Sequence, residues 1–369
     1  MDPIRYSVTM PIANSTGRSD VDVYREIDVR YDTVEALGFD TVFNLEHHFG
    51  DYIMCPDTML LHAYVAARTE RIRLSNAIIV APWHNPIRLA EQIAMVDLLS
   101  DGRTLPGLGR GNAVHEHENL GINPEESRAR FDESVEVLQL ALTGEEFSYE
   151  GPFHSYHNIE LRPRPNRTIT LGGAATSPGT AERLGTKGLH LIIGNIGQPV
   201  SQSRSALEGY QAAAVAAGHD LSQLEAMYHG LAYVGDTDEQ AYEDLLRVVP
   251  AQLDAQARFY EVAKNRWKNV KGYEFQSEAA AGYQAMVDMP TDLLRLFLDG
   301  HFVGSPETVA RRIRTFVDFG YNHISFYCEW GGTIPVEREL ETFRRIMEDV
   351  VPIVPEVEPW QFDEMALLG

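Results

Sequence analysis

Only two cysteines, Cys55 and Cys328, occur in 369 residues, too few for a disulfide framework. No apolar run is long enough to span a bilayer, and the first residues lack the basic-then-apolar pattern of a secretion signal. Positive charge is scarce as well. Lys and Arg number 31 against 54 Asp and Glu, giving a net charge of -23 and a pI near 4.9. Such a surface repels phosphate backbones and anionic headgroups, which excludes nucleic acid and membrane as expected partners but leaves room for a small anion held by local arginines. The expected location is cytoplasmic. Against these absences stand a hydrophobic content of 44% and a charged content of 23%, the balance of a globular protein with ample material for a large core. Because barrel folds use roughly 250 residues or more as one unit, residues 1–369 are read as a single domain.

Hydrophobic periodicity then sets a regular alternation. Ile4 to Met10 reads as a first strand, followed by a helix from Val21 to Leu37 that stops at Gly38. Thr41 onward is strand two, and a helix near Asp57 to Arg68 leads to a β-branched third strand, Ile72 to Val80. Pro86 opens a helix through Leu99, and Thr104 to Gly109 is a short, glycine-rich fourth strand. Strands five, six, seven and eight are placed at Thr168 to Leu171, Leu189 to Ile193, Ala226 to Val234 and Tyr321 to Cys328, with helices between them. Parallel strands need crossover helices, and eight of them close around a filled interior, so the expected fold is a (β/α)8 TIM barrel, with an open doubly wound sheet as the alternative. Two insertions interrupt the alternation: about 145–165 after strand four, read as a hairpin, and about 259–299 after strand seven, read as a lid or dimer element. Residues from about 352 to 369 form a C-terminal arm.

Chemistry in a parallel α/β fold sits at the carboxyl ends of the strands, where strand two ends in Glu46-His47-His48. Alone, this cluster is balanced between catalysis and structural hydrogen bonding; as catalysis it supplies an imidazole, His47, with a carboxylate, Glu46, beside it to set its tautomer. Arg110 follows strand four in Gly107-Leu108-Gly109-Arg110-Gly111, and Arg128 starts the next helix, so two arginines near one rim suggest a dianion site. The bland alternative pairs Arg128 with Glu125 or Asp132. Gly172-Gly173-Ala174-Ala175-Thr176-Ser177-Pro178 reads as a strand running into a capped helix, a phosphate cradle made by Gly173, Thr176 and Ser177. Trp83, His84, Asn195, Tyr327, Cys328, Glu329 and Trp330 lie near other strand ends as pocket candidates. Metal ligation by Glu46, His47 and His48 is disfavoured, because adjacent side chains on an extended chain point to opposite sides.

Leu45-Glu46-His47-His48-Phe49, Ala81-Pro82-Trp83-His84-Asn85-Pro86, Leu98-Leu99-Ser100-Asp101-Gly102-Arg103 leading into Gly107 to Gly111, and Phe302-Val303-Gly304-Ser305-Pro306 occur in that order over most of the chain. In this the sequence resembles the bacterial luciferase-like flavin-dependent monooxygenases. The resemblance implies a barrel that binds reduced FMN, which with O2 forms a C4a-peroxyflavin and oxygenates a small organic substrate. It implies a base role for His47, phosphate contacts at Arg110, Arg128, Ser177 and Thr180, a homodimer, and a separate reductase as the source of reduced flavin. Departures from the luciferase α chain are Gly109 in place of a reactive cysteine, Thr176 in place of a glutamate, and Asn195 beside the flavin in place of a tryptophan, so light emission is not implied. Relatives that use the deazaflavin coenzyme F420, and non-catalytic flavin-binding partner subunits, are the alternatives.

Overall fold

A computed structural model describes residues 4–194, 200–290 and 294–362. Its centre is a ring of parallel strands: β1 (Arg5–Thr9), β2 (Thr41–Asn44), β3 (Arg73–Asn76, continued by Ile79–Val80), β4 (Thr104–Leu105, continued by Gly107–Gly109), β5 (Gly172–Ala175), β6 (His190–Gly194), β7 (Ala226–Val234) and β8 (His323–Tyr327). Each strand pairs with the next, and β8 pairs back onto β1 with Ser325 opposite Ser7. The breaks in β3 and β4 fall side by side. Leu74 pairs with Thr104 before them and Ile79 with Leu108 after them, so the circuit closes across both pieces. This is the expected eight-stranded barrel.

Side chains alternate along each strand as the pleat requires. Val8, Val42, Leu74, Ile324 and Phe326 face the helices and are fully buried in the main core. The inward set is more polar. Ser7, His323, Glu225, Arg73 and Asp40 form a chain of hydrogen bonds at the amino end of the barrel, with His323 2.8 Å from Glu225 and Arg73 2.7 Å from Glu225. Burial would raise the Glu225 carboxyl, but His323 and Arg73 hold it far below the usual carboxylate range. Phe43, Leu105, Ile192 and Met227 then plug the middle, leaving the carboxyl end open for a site.

Strand five departs from expectation. It comprises Gly172–Ala175, not Thr168 to Leu171, so the two glycines are strand and not turn. The reason is crowding on both sides. A Cβ on Gly172 would lie 3.2 Å from Ile192 inside the barrel, and one on Gly173 would lie 2.4 Å from Leu184 of the following helix. Both insertions take on structure. The first is an antiparallel hairpin, Phe147–Glu150 with Ser155–Ile159; the second starts at the end of the helix Val249–Phe259 and holds a 3-10 turn, Val262–Lys264, and the helices Glu274–Val287 and Leu294–Asp299.

Candidate active site

The open end of the barrel contains a cavity of about 310 Å³, within the size range of small-molecule sites. Its floor is made by Thr9, Ala77, Ala174, Ile192 and His229, and its roof by Gln252, Leu253 and Gln256 of the helix Val249–Phe259 together with Tyr260 and Tyr283 of the second insertion. That insertion is a lid over the site. Three contacts tie it to the segment after β4: Trp267 Nε1 donates to Asn112 O at 2.6 Å, Tyr273 OH donates to Gly111 O at 2.8 Å, and Arg266 pairs with Glu118 at 2.6 Å. A buried cluster of Val114, Ala257, Val262, Trp267, Tyr273 and Ala280 packs between them.

Glu46 and His47 diverge beyond the end of β2. Glu46 is 2% exposed, and its carboxylate accepts from Val80 N at 2.7 Å, His84 Nε2 at 2.8 Å and His48 Nε2 at 3.3 Å. Burial pushes this carboxyl up, yet the bonds from His48, His84 and Val80 outweigh it and hold the group below its ordinary value. His84 is raised in turn, its burial offset by Glu46. Glu46 therefore ties the ends of β2 and β3 together, and the expectation that it sets the tautomer of His47 is corrected. That partner is Glu116. Its carboxylate is fully buried, sits 3.2 Å from His47 Nδ1 through either oxygen, and accepts His48 N at 2.5 Å. The other His47 nitrogen, Nε2, lies 3.1 Å from Tyr260 OH of the lid, and Tyr52 and Phe259 pack against the ring at 5.5 and 4.9 Å. Glu116 escaped the sequence reading although a signal existed: it stands between His115 and His117 in the segment leaving β4. Among the described residues no three His, Cys, Asp or Glu side chains converge as metal ligands.

Another part of the site is cationic. Arg110 and Thr180 line the cavity, Arg110 donates to Gly272 O of the lid at 3.2 Å, and a Cβ on Gly272 would meet both Arg110 (3.5 Å) and Arg128 (4.0 Å). Arg183, one turn into the helix Pro178–Thr186, donates to Thr180 Oγ1 at 3.2 Å. Among the described residues none of these three arginines forms an ion pair. Burial lowers the Arg110 and Arg128 guanidinium groups, and the charge of Arg183 lowers both further, as Arg110 also does to Arg128, with Asp132 and Glu274 opposing at longer range. Such a cluster is relieved by an anion. Ser177 Oγ stands 3.1 Å from Thr180 Oγ1 and does not cap its own helix; Ser177 borders a small neighbouring cavity and not the main one, while Thr176 lines both. Gly173 is not on the cavity wall, and its expected contact with a cofactor gives way to packing against Leu184. Asn195 lies outside the described residues.

Of the remaining pocket candidates, Tyr327 lines the cavity, while Trp83 packs against His48 and His117. Cys328, Glu329 and Trp330 are buried away from it. With anion cluster, cavity and lid in place, residues 4–323 match the family described as luciferase-like monooxygenase. The chain belongs to that family. Limonene 1,2-monooxygenase of Rhodococcus erythropolis is 28% identical over 86% of this chain and 78% of its own. The oxygenase component of flavin-dependent trigonelline monooxygenase from Acinetobacter baylyi is 24% identical over 86% of each. Among solved structures, the oxygenating constituent of 3,6-diketocamphane monooxygenase from Pseudomonas putida, in complex with FMN, superposes with a TM-score of 0.74 at 18% identity over 97% of this chain and all of that one. An F420-dependent secondary alcohol dehydrogenase superposes with a TM-score of 0.71 at 17% identity over 95% of this chain and 99% of its own. This luciferase-like monooxygenase is thus an oxidoreductase whose fold is shared by flavin and F420 proteins alike.

Proposed function

We propose that the protein is an FMN-dependent monooxygenase that uses reduced FMN and O2 to put one oxygen atom into a small organic substrate. The observation that carries this reading is the cluster of Arg110, Arg128 and Arg183, none of them in an ion pair among the described residues, beside the paired Ser177 and Thr180 hydroxyls at the edge of a lidded cavity that Arg110 and Thr180 line. Guanidinium forks and hydroxyls suit a phosphate monoester dianion, whose two charges and acceptor oxygens they match. When bound, FMN supplies the electrons and the activation of dioxygen.

The chain's own residues do the rest. Arg110 and Thr180 anchor the phosphate, with Arg128 and Arg183 adding charge, while Ala77, Ile78, Ala174 and Ile192 offer an apolar seat toward the floor. Gln252, Leu253, Tyr260 and Tyr283 roof the cavity and keep water out, which protects a reactive oxygen species from unproductive decay. His47, braced by Glu116, holds a proton acceptor at the wall of the cavity far along the chain from the arginines. A relative described as an oxygenase component supports a separate reductase as the source of reduced flavin.

The test is ligand selectivity. FMN binds more tightly than riboflavin, and Arg110→Ala removes most of that difference, each charge-assisted contact being worth about 1.5 to 3 kcal/mol. Equal wild-type affinity for FMN and riboflavin would sink the assignment. The second reading, an F420-dependent oxidoreductase, is favoured by the shared fold of the alcohol dehydrogenase. It requires substrate turnover without consumption of dioxygen.

A further inference from the structure

Both ring nitrogens of His47 are engaged in this structure. Nδ1 faces the Glu116 carboxylate, which can only accept, so Nδ1 carries the hydrogen. In the neutral ring Nε2 is then bare, and the Tyr260 hydroxyl, 3.1 Å away, donates to it. Tyr260 follows the lid helix Val249–Phe259, and its side chain lines the cavity beside Asn112 and Gln256. With the lid shut, His47 has no free nitrogen for a substrate; the group presented to the cavity is the phenol standing on it.

We propose that Tyr260 is a lid-borne proton relay, so that the His47 base acts on substrate through the Tyr260 hydroxyl and only when the lid is closed. The proposal rests on the monooxygenase reading for the reaction it serves. In the relay the substrate's X–H bond breaks and its proton joins Tyr260 Oη, as the phenol O–H bond breaks and that proton joins His47 Nε2. No electrons are exchanged. The negative charge stays on the substrate atom, and the positive charge on the imidazolium is balanced by Glu116 at Nδ1. Burial raises the Tyr260 phenol well above its ordinary value, with Tyr52, Glu116 and Tyr283 adding to this and Asn112 opposing it, so the hydroxyl keeps its proton until a proton arrives to replace it. The lid gives this arrangement a purpose. An open lid takes the phenol away from Nε2 and breaks the relay, so proton transfer through Tyr260 is confined to the closed cavity.

The experiment compares the wild type with Tyr260→Phe, which keeps the ring and deletes the hydroxyl. In histidine-labelled protein without flavin, long-range 1H–15N spectra show His47 as the Nδ1–H tautomer, and its Nε2 resonance moves in the variant toward that of an unbonded, unprotonated ring nitrogen. Loaded with FMN, the variant binds flavin as the wild type does, and product formed per reduced flavin consumed falls by roughly a hundredfold, the scale of a lost positioned acid or base. Trypsin cleavage at Lys268 and Lys271 reads whether the lid stays shut. An unmoved Nε2 resonance overturns the contact; unchanged product yield overturns the relay; lost yield together with faster lid cleavage assigns the loss to lid opening and overturns it as well. A wild type that binds no FMN would sink the monooxygenase reading separately, because the spectra without flavin still decide the contact.

Discussion

At the scale of single residues, the departures from expectation share one cause. A carboxylate next in sequence to a histidine is not next to it in space when both leave the end of a strand, because the pleat sends adjacent side chains apart. Glu46 consequently reaches back to Val80 and His84 while His47 turns to Glu116, 69 residues further along. Arg183 was invisible for a similar reason: its role depends on the helical turn that brings it to Thr180. Glu329 offers a residue-scale test. Burial, followed by repulsion from Glu339, pushes its carboxyl up to about 8, against the opposing influence of Arg30 and the Gly331 and Gly332 amides. The folded state then holds a proton that the unfolded state releases in the ordinary carboxylate range, so stability is fully present below that range and is lost as pH rises toward about 8. Glu329→Gln is neutral throughout. Its melting temperature should exceed that of the wild type at pH 9, with the gap closing at pH 5; parallel melting curves across that range would count against the buried acid.

Elements were legible wherever burial imposed a period. Strands such as the third, expected at Ile72 to Val80, and the helix after Pro86 emerge from their apolar spacing, and the helix Asp238–Leu246 from its cap, where Thr237 Oγ1 accepts Gln240 N at 3.2 Å and Gln240 accepts Asp236 N at 2.9 Å. Strand five was misplaced because glycine looks like a turn until its neighbours Ile192 and Leu184 are known. The second insertion was readable as a lid or dimer element but its attachment was not, since its anchors are backbone oxygens of Gly111 and Asn112 that carry no side-chain signature. Trp267 is 6% exposed and makes the hydrogen bond to Asn112. Trp267→Ala should leave the melting of the barrel nearly unchanged while speeding trypsin cleavage at Lys264, Lys268 and Lys271 by about tenfold or more, the factor that follows from roughly 1.4 kcal/mol of lost local stability. Equal cleavage rates would show that the lid is not held there.

For the molecule as a whole, the helices Thr58–Ala66 and Pro86–Leu99 lie side by side with Leu60 71%, Tyr64 47%, Met95 50% and Leu99 62% exposed. Ile93 and Val96 of the second helix turn into the core. Contiguous exposed apolar surface marks association, and we expect a homodimer through these two helices. Light scattering should give twice the chain mass, and Leu60→Asp with Met95→Asp should give the mass of one chain. A concentration-independent monomer in the wild type would reject the pairing. The described part of the C-terminal arm packs elsewhere: Trp360 N donates to Arg311 O, and the Arg311 and Arg312 guanidinium groups sit over the Trp360 ring at 5.1 and 4.9 Å.

Sequence alone determined the eight-fold alternation, the family, and the run at the end of strand two, because hydrophobic period and local motif are properties of neighbours along the chain. It also singled out Arg110, Arg128, Ser177 and Thr180. Only the tertiary structure decided which groups meet: Glu116 with His47, Arg183 with Thr180, and Tyr260 of the lid with the imidazole it covers. Those encounters depend on how the barrel closes and where an inserted segment folds back, and a contact between residues 213 positions apart leaves no periodic trace in the chain that makes it.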